Sequence, residues 1–422
     1  MIWLIVALVC VGTALAVVIG LNFVAPEKRV QHKIAHTYDA ADPQFRREMD
    51  ALLGPAVLGG NRIEDLQNGE RIFPPMLEAI ASARSSITFE TFIYWSGAIG
   101  RKFADALTER ARAGVRVHVL LDWVGSDKMK KKLLQQMADA GVAVQRYHPL
   151  NLRNLSRMDN RTHRKLLVVD GTLGFTGGVG IADNWEGDAQ DPDHWRDSHF
   201  RIEGPVVAQV QSVFMDNWIK TTGEVLQGEK YFPALHSVGD MQAQMFSSSP
   251  RGGSESMQLM YLVAITAAVK SIDLAESYFV PDALTRKTLV QAAGRGVRIR
   301  VITPGDHIDT QTVRQASRTC WEELLKAGIE IHEFEPTMNH CKIMLIDGLL
   351  ASVGSTNFDN RSFALNDEAN LNVYDRGFVE RLTQVFERDL QRCKRITLQA
   401  WQRRPWHERA RERVSSLFSP QL

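Results

Sequence analysis

His163 and Lys165, followed by Asp170, form the string His-x-Lys-x4-Asp, and the same string returns as His340, Lys342 and Asp347. After six further residues each copy carries a small pair, Gly177-Gly178 in the first and Gly354-Ser355 in the second. One imidazole with one ammonium group is half of a site. Two copies suit a phosphodiester, where one histidine attacks phosphorus and the other protonates the departing oxygen. The lysines would hold the non-bridging oxygens and offset charge in the transition state. This chemistry needs no cofactor, and the sequence offers no Asp/Glu/His cage for a metal.

Strand alternation places His163 and Lys165 on one face, two residues apart, and Lys342 likewise accompanies His340. Leu166 to Val169 and Ile343 to Ile346 are apolar runs ending in Asp-Gly, a hairpin signal because both turn positions ask for φ > 0. Two-residue turns at Asp170-Gly171 and Asp347-Gly348 predict His163 opposite Gly178 and His340 opposite Ser355. Gly178 and Ser355 would then leave space and backbone N–H groups for phosphate. Asp170 and Asp347 complete the motif and so join the catalytic set, but their place seven residues on predicts a turn-capping, supporting role.

An imidazole nucleophile also needs its second nitrogen held, normally by a carboxylate. Asp197 in Trp195-Arg196-Asp197-Ser198 and Glu368 in Asn366-Asp367-Glu368-Ala369 each open a strand downstream of a hairpin. Assignment within each half gives Asp197 to His163 and Glu368 to His340; surface carboxylates at strand starts are the alternative. Asn184 and Asn357 are candidate phosphate donors, with loop capping as the other use of each.

Elements of two similar halves must bring these groups together. Ser86-Ile87-Thr88-Phe89 is echoed by Ser271-Ile272-Asp273-Leu274, Ala113-Gly114-Val115-Arg116-Val117 by Arg295-Gly296-Val297-Arg298-Ile299, and Ala140-Gly141-Val142 by Ala327-Gly328-Ile329. A period of about 180 residues is the size of a domain. Arg101 to Ala113 reads as a helix with Phe103, Ala106, Leu107 and Ala111 near one face, and Val115 to Leu121 as a strand buried on both faces. Their alternation predicts parallel βαβ units.

The chain of 422 residues has room for two such domains, and its net charge of +1 advertises no nucleic-acid partner. Cys10, Cys320, Cys341 and Cys393 include no C-x-x-C pair, against a disulfide framework or a thiolate metal site.

Ile2 to Val24 carry no charge. As a helix they would span roughly 35 Å at ~1.5 Å per residue, which predicts a transmembrane helix within 1–26. A signal peptide cut after Ala14-Leu15-Ala16 is the alternative. Lys28, Arg29 and Lys33 favour a cytoplasmic catalytic body. The expected organisation is a connector at 27–45, a first domain at 46–220, a linker at 221–240, a second domain at 241–390 and a basic tail at 391–422. In that tail Trp401 and Trp406 sit among Arg403, Arg404, Arg409, Arg411 and Arg413, a composition that suits an anionic membrane surface or, alternatively, a soluble basic helix.

With its doubled motif the chain resembles the phospholipase D superfamily, and within it the bacterial cardiolipin synthases, from about residue 60 to 390. The resemblance implies two α/β domains about a pseudo-two-fold axis, both motifs meeting at their interface. It also implies a covalent phosphohistidine, with the first-half residue, His163, as nucleophile. Gly354 to Ser362 look like the synthase form of the second motif. The implied reaction joins two phosphatidyl units through glycerol, with phosphatidylglycerol as the leading substrate, at the bacterial inner membrane. One departure is Gly180, where many relatives have Asn, so Asn184 would have to substitute. Relatives include lipid hydrolases and nucleases. A nuclease should show a basic groove with aromatic platforms. Lys128, Lys130, Lys131 and Lys132 form a basic cluster, but a solvated helix start explains it equally well. The apolar N terminus favours lipid, and hydrolysis to phosphatidic acid is the runner-up.

Overall fold

The computed structural model describes residues 2–22, 30–149, 160–249 and 256–408, together with Glu412 and Ser415. The chain opens with α1 (Ile2–Asn22) and α2 (Pro43–Leu53). The first half follows as β1 (Leu58–Gln67), α3 (Asn68–Ser82), β2 (Ser86–Thr91), α4 (Ala98–Arg112), β3 (Arg116–Asp122), α5 (Lys131–Asp139) and β4 (Ala143–Tyr147). It closes with β5 (Leu166–Val169), β6 (Leu173–Gly177), β7 (Ser198–Glu203) and α6 (Val207–Thr222).

The second half repeats the plan with β8 (Met241–Ser248), α7 (Ser256–Ala267), β9 (Ser271–Glu276), β10 (Phe279–Val280), α8 (Ala283–Gly294) and β11 (Arg298–Pro304). Next come α9 (Gln311–Arg318), α10 (Trp321–Lys326), β12 (Glu330–Phe334), β13 (Lys342–Ile346), β14 (Leu350–Gly354) and β15 (Phe358–Asp359). Last are α11 (Asn360–Ala364), β16 (Glu368–Val373), α12 (Arg376–Leu390), β17 (Cys393–Ile396) and α13 (Leu398–Gln402).

All strands but β10 and β15 join one sheet in the order β17-β12-β11-β9-β13-β14-β16-β8-β1-β7-β6-β5-β2-β3-β4. Outward from the central β8–β1 contact, each half lays down seven strands in equivalent order, and β17 adds an edge. β1 and β8 pair antiparallel, with Asn61 opposite Met241, so the two α/β repeats meet about a pseudo-two-fold axis at that seam. Within each half β2-β3-β4 and β9-β11-β12 are parallel, as expected of βαβ units. Gly114 and Gly296 stand at φ +90° and +93°, which ends the preceding helix and starts the strand where a side chain would be strained.

One hydrophobic core runs beneath both halves, where α6 brings Phe214 and Trp218 and α12 brings Phe378 and Leu382. Phe200 and Phe378 rings meet across the halves at 6.1 Å. On the other face α3 to α5 cover the first half with Phe73, Phe103 and Met137. There the second half is covered by α7, α8 and α10, and also by Phe45, Met49 and Leu53 of α2, which precedes the first repeat in sequence.

Two expectations change. Among the described residues no helix is long and apolar enough to cross a membrane, so the expected transmembrane helix is not found. Ile2 to Thr13 of α1 are all exposed. The span 391–422 is not simply a tail, because β17 pairs with β12 and Trp401 is buried against Trp321 at 5.3 Å, under Arg404. Trp406 remains exposed, while Arg409, Arg411 and Arg413, like Lys28 and Arg29, lie outside the described residues. Finally, the stretch 221–240 is tacked down: Leu226 and Tyr231 are buried, and Val238 donates to the Gly60 carbonyl at 2.9 Å.

Candidate active site

Each motif enters its strand by bonding backbone from the other half. His163 N–H donates to the Asp367 carbonyl at 2.9 Å, and Asp367 N–H donates back to Arg161 at 2.9 Å. The same exchange joins His340 N–H to the Arg196 carbonyl (2.7 Å) and Arg196 N–H to Met338 (2.9 Å). These parallel bridges, Thr162 with Asp367 and Arg196 with Asn339, decide which carboxylate each imidazole meets.

His163 Nδ1 lies 3.0 Å from both Glu368 oxygens, and His340 Nδ1 lies 2.8 Å from Asp197 Oδ2. The within-half assignment is therefore corrected: Glu368 serves His163 and Asp197 serves His340. The backbone exchange brings the opening residue of β16 beside His163, and Asp197, just ahead of β7, beside His340.

The small residues cross as well. The turn residues do stand at positive φ, with Asp170 at 51°, Gly171 at 65°, Asp347 at 53° and Gly348 at 70°. Yet the ladders resume one residue late, pairing Val169 with Leu173 and Ile346 with Leu350, which corrects the predicted register. Gly178 packs instead against Asp197, where a Cβ would fall 2.2 Å from Oδ1. Ser355 Oγ donates to Glu368 Oε2 at 2.6 Å. Both thus support the carboxylate of the other half's histidine.

Asp170 accepts the backbone N–H groups of Arg84, Ser85 and Ser86, and Asp347 those of Val269, Lys270 and Ser271. Sitting at the hairpin tips, they tie down the starts of β2 and β9. Their grouping with the catalytic residues is corrected to a structural role.

The lysines lie beside the rings. Lys342 Nζ donates to Ser277 Oγ (2.6 Å) and the His340 carbonyl (2.7 Å), within 3.3 Å of both nitrogens of that ring. Ser277 Oγ in turn donates to Asn357 Oδ1 at 2.6 Å, which leaves the amide N–H groups as the donor end of Asn357. Lys165 Nζ donates to the His163 carbonyl at 2.5 Å and stands 5.5 Å from the Phe92 ring. Asn184 is half-buried in the turn Asp183–Trp185, its carbonyl accepting Trp195 N–H at 2.6 Å, and among the described contacts its side chain meets neither histidine.

Each imidazole is a tenth exposed, and both carboxylates are fully buried. Burial, then Lys165 and Lys342, holds His163 well below the ordinary imidazole range. Burial and Lys342 bring His340 down to about 4, against the pull of Asp197. Both rings are therefore neutral near pH 7. With Nδ1–H given to an ionised carboxylate, Nε2 is the free lone pair. Burial pushes Glu368 up to about 7 and Lys165 down to about 7. Burial pushes Asp197 up too, but His340 and Lys342 outweigh it and hold the carboxyl below its usual range.

Sequence reasoning missed Ser277, Trp185, Trp195 and Phe92. Trp185 gives its indole N–H to Asp197 Oδ2 at 2.9 Å and its ring to His340 at 5.3 Å. Trp195 lies 5.7 Å from His340, and Phe92 lies 5.3 Å from His163. For Ser277 the signal is the ladder register, which sets it at the position equivalent to Phe92.

The family description "Cardiolipin synthase, PLD-like domain" matches residues 76–218 and 261–390, one segment per half. A cardiolipin synthase of Geobacillus sp. (strain WCH70) is 38% identical over 360 residues, covering 85% of this chain and 72% of that protein. Cardiolipin synthase 2 of Bacillus anthracis is 34% identical over 360 residues, covering 85% and 70%. Among solved structures, phosphatidylserine synthase from Haemophilus influenzae Rd KW20 superposes with a TM-score of 0.65 at 14% identity, covering 90% of this chain and 100% of that one. At that identity the likeness is one of fold.

Proposed function

We propose that this chain, which belongs to the cardiolipin synthase family with its phospholipase-D-like domain, is a phosphatidyltransferase that joins two phosphatidyl units through glycerol. The observation that carries the reading is the crossed pair of histidine–carboxylate dyads, each imidazole beside a buried lysine. With its Nδ1–H held by Glu368, His163 attacks the phosphorus of phosphatidylglycerol through Nε2. The bond to the headgroup glycerol breaks, and protonated His340 gives its proton to the departing oxygen.

Lys165 and Lys342 neutralise the non-bridging oxygens. A bound phosphodiester anion favours the imidazolium of His340, opposing what burial and the lysines remove. The hydroxyl of a second phosphatidylglycerol then loses its proton to His340 and attacks the phosphohistidine. The P–N bond breaks, cardiolipin leaves and His163 is restored. Each step exchanges one phosphoryl linkage for another, so no external energy source is needed.

In this reading 46–220 and 241–390 are the two catalytic domains and 221–240 their link. The exposed apolar side chains of α1, with Lys33 after it, support attachment to the anionic cytoplasmic face of the bacterial cell membrane. The test is purified protein on phosphatidylglycerol vesicles, read by lipid mass spectrometry and a free-glycerol assay. Cardiolipin and glycerol in equal amounts are expected. Phosphatidic acid as the sole lipid product would overturn the synthase reading in favour of hydrolysis.

A further inference from the structure

The strand ladders set Ile87 opposite Val169 and Ile272 opposite Ile346, which makes Phe92 and Ser277 occupants of equivalent positions in the two halves. Counting from the paired glycines Gly177 and Gly354 makes Gly180 the equivalent of Asn357. The second half thus holds an unbroken run, Lys342 Nζ to Ser277 Oγ to Asn357 Oδ1, each link 2.6 Å long and each residue buried. The first half holds neither polar member. Phe92 presents a ring 5.5 Å from Lys165 Nζ, and at Gly180 a Cβ would fall 2.7 Å from Ile93 Cβ, so an asparagine does not fit.

We propose that Ser277 is a positioning residue that makes the phosphate clamp one-sided. Its hydroxyl accepts from Lys342 and donates to Asn357, so it fixes the ammonium and turns the amide N–H groups toward the same non-bridging oxygen. Phosphate is then gripped from the second half, with two donors held in a set geometry before substrate arrives. On the first-half side Lys165 bonds the His163 carbonyl, as Lys342 bonds that of His340, but an apolar wall stands beside it in place of a hydroxyl. Ser277 does not itself touch substrate.

This rests on the two-histidine cleft being a phosphodiester site. The test therefore pairs turnover of phosphatidylglycerol with calorimetric binding of inorganic phosphate, on the full chain. Ser277→Ala should lower kcat/KM roughly tenfold or more and weaken phosphate binding by a similar factor, with the protein still folded at the assay temperature and its melting temperature lowered by only a few degrees. Ser277→Cys fills the same space but bonds poorly, and should behave as the alanine variant does. Asn357→Ala should cost much less in the Ser277→Ala background than alone, because the amide is already unaligned there. Wild-type kcat/KM and phosphate affinity in the cysteine variant, or additive losses in the double variant, would overturn the proposal. A wild-type protein that binds phosphate but makes no cardiolipin would instead sink the functional reading and leave the clamp standing.

Discussion

Around His340 the polar neighbours are fixed by several partners. Asp197 takes the Trp185 indole N–H and the Ser198 N–H as well as the imidazole, and Lys342 is anchored by Ser277. Around His163, Glu368 takes the Ser355 hydroxyl and the Asn366 amide, but Lys165 has the His163 carbonyl and the Phe92 ring. The two halves thus share a plan and differ in electrostatics. Asp197 stays ionised, which suits a ring that must carry a positive charge and pass a proton. Glu368 is pushed up to about 7 by burial, which suits a ring that stays neutral and attacks. The inequality of the dyads, rather than their presence, supports giving the two histidines different tasks.

The largest test of that inequality removes each ring. His163→Ala should lower turnover by on the order of 10⁴-fold or more and abolish any acid-labile phosphoenzyme. His340→Ala should be as poor on phosphatidylglycerol, yet still form phosphoenzyme from a substrate with a good leaving group, which needs no proton. Rapid-quench labelling distinguishes the two. Label that persists in the His163→Ala protein and is lost in the other would reverse the roles.

The crossed carboxylates come next, with losses of roughly 10²- to 10⁴-fold expected for an amide in place of either. Glu368→Gln should slow phosphoenzyme formation whatever the leaving group, since it disturbs the His163 tautomer. Asp197→Asn should be largely relieved by a good leaving group, since it disturbs the acid. If Asp197→Asn is the variant that blocks the first chemical step on an activated substrate, the crossing has no catalytic meaning.

That crossing marks the limit of what the chain discloses when read alone. His163, Lys165, His340 and Lys342 were legible because the motif is local and doubled. Asp197 and Glu368 were legible as residues but not as partners, because neighbourhood in sequence ignores the exchange of backbone bonds between Thr162 and Asp367 and between Arg196 and Asn339. The hairpin register failed on one extra residue: Thr172 N–H bonds Val169 as in a two-residue turn, but the ladder resumes at Leu173. Trp401 looked interfacial from its basic neighbours, and composition could not report that an edge strand folds it back onto Trp321. Ser277 needed the ladders, because the echo read in sequence stops at Phe89 and Leu274, short of Phe92 and Ser277.

The smallest expected effect, and the most direct reading of the asymmetry, is on pH. Burial brings Lys165 down to about 7, so its ammonium is present below that value and lost above it. The attraction for a phosphodiester therefore weakens as pH rises through about 7. Burial lowers Lys342 as well, but Asp197 and Glu276 oppose it, so the decline in kcat/KM should level off at roughly tenfold rather than continue to zero. On the acid side, Glu368 gains its proton below about 7. The resulting carboxylic acid donates to Nδ1 and moves the ring proton to Nε2, which removes the attacking lone pair. Asp197, held below the usual carboxylate range, adds no limb in this window. The free enzyme should thus show a narrow maximum near neutrality, with both limbs arising around His163. Lys165→Arg keeps its charge at all accessible pH and should erase the alkaline decline, while Lys342→Arg should leave it in place at lower overall activity. A profile flat between about pH 6 and 9, or an alkaline limb that moves only with Lys342, would place the titrating lysine in the wrong half.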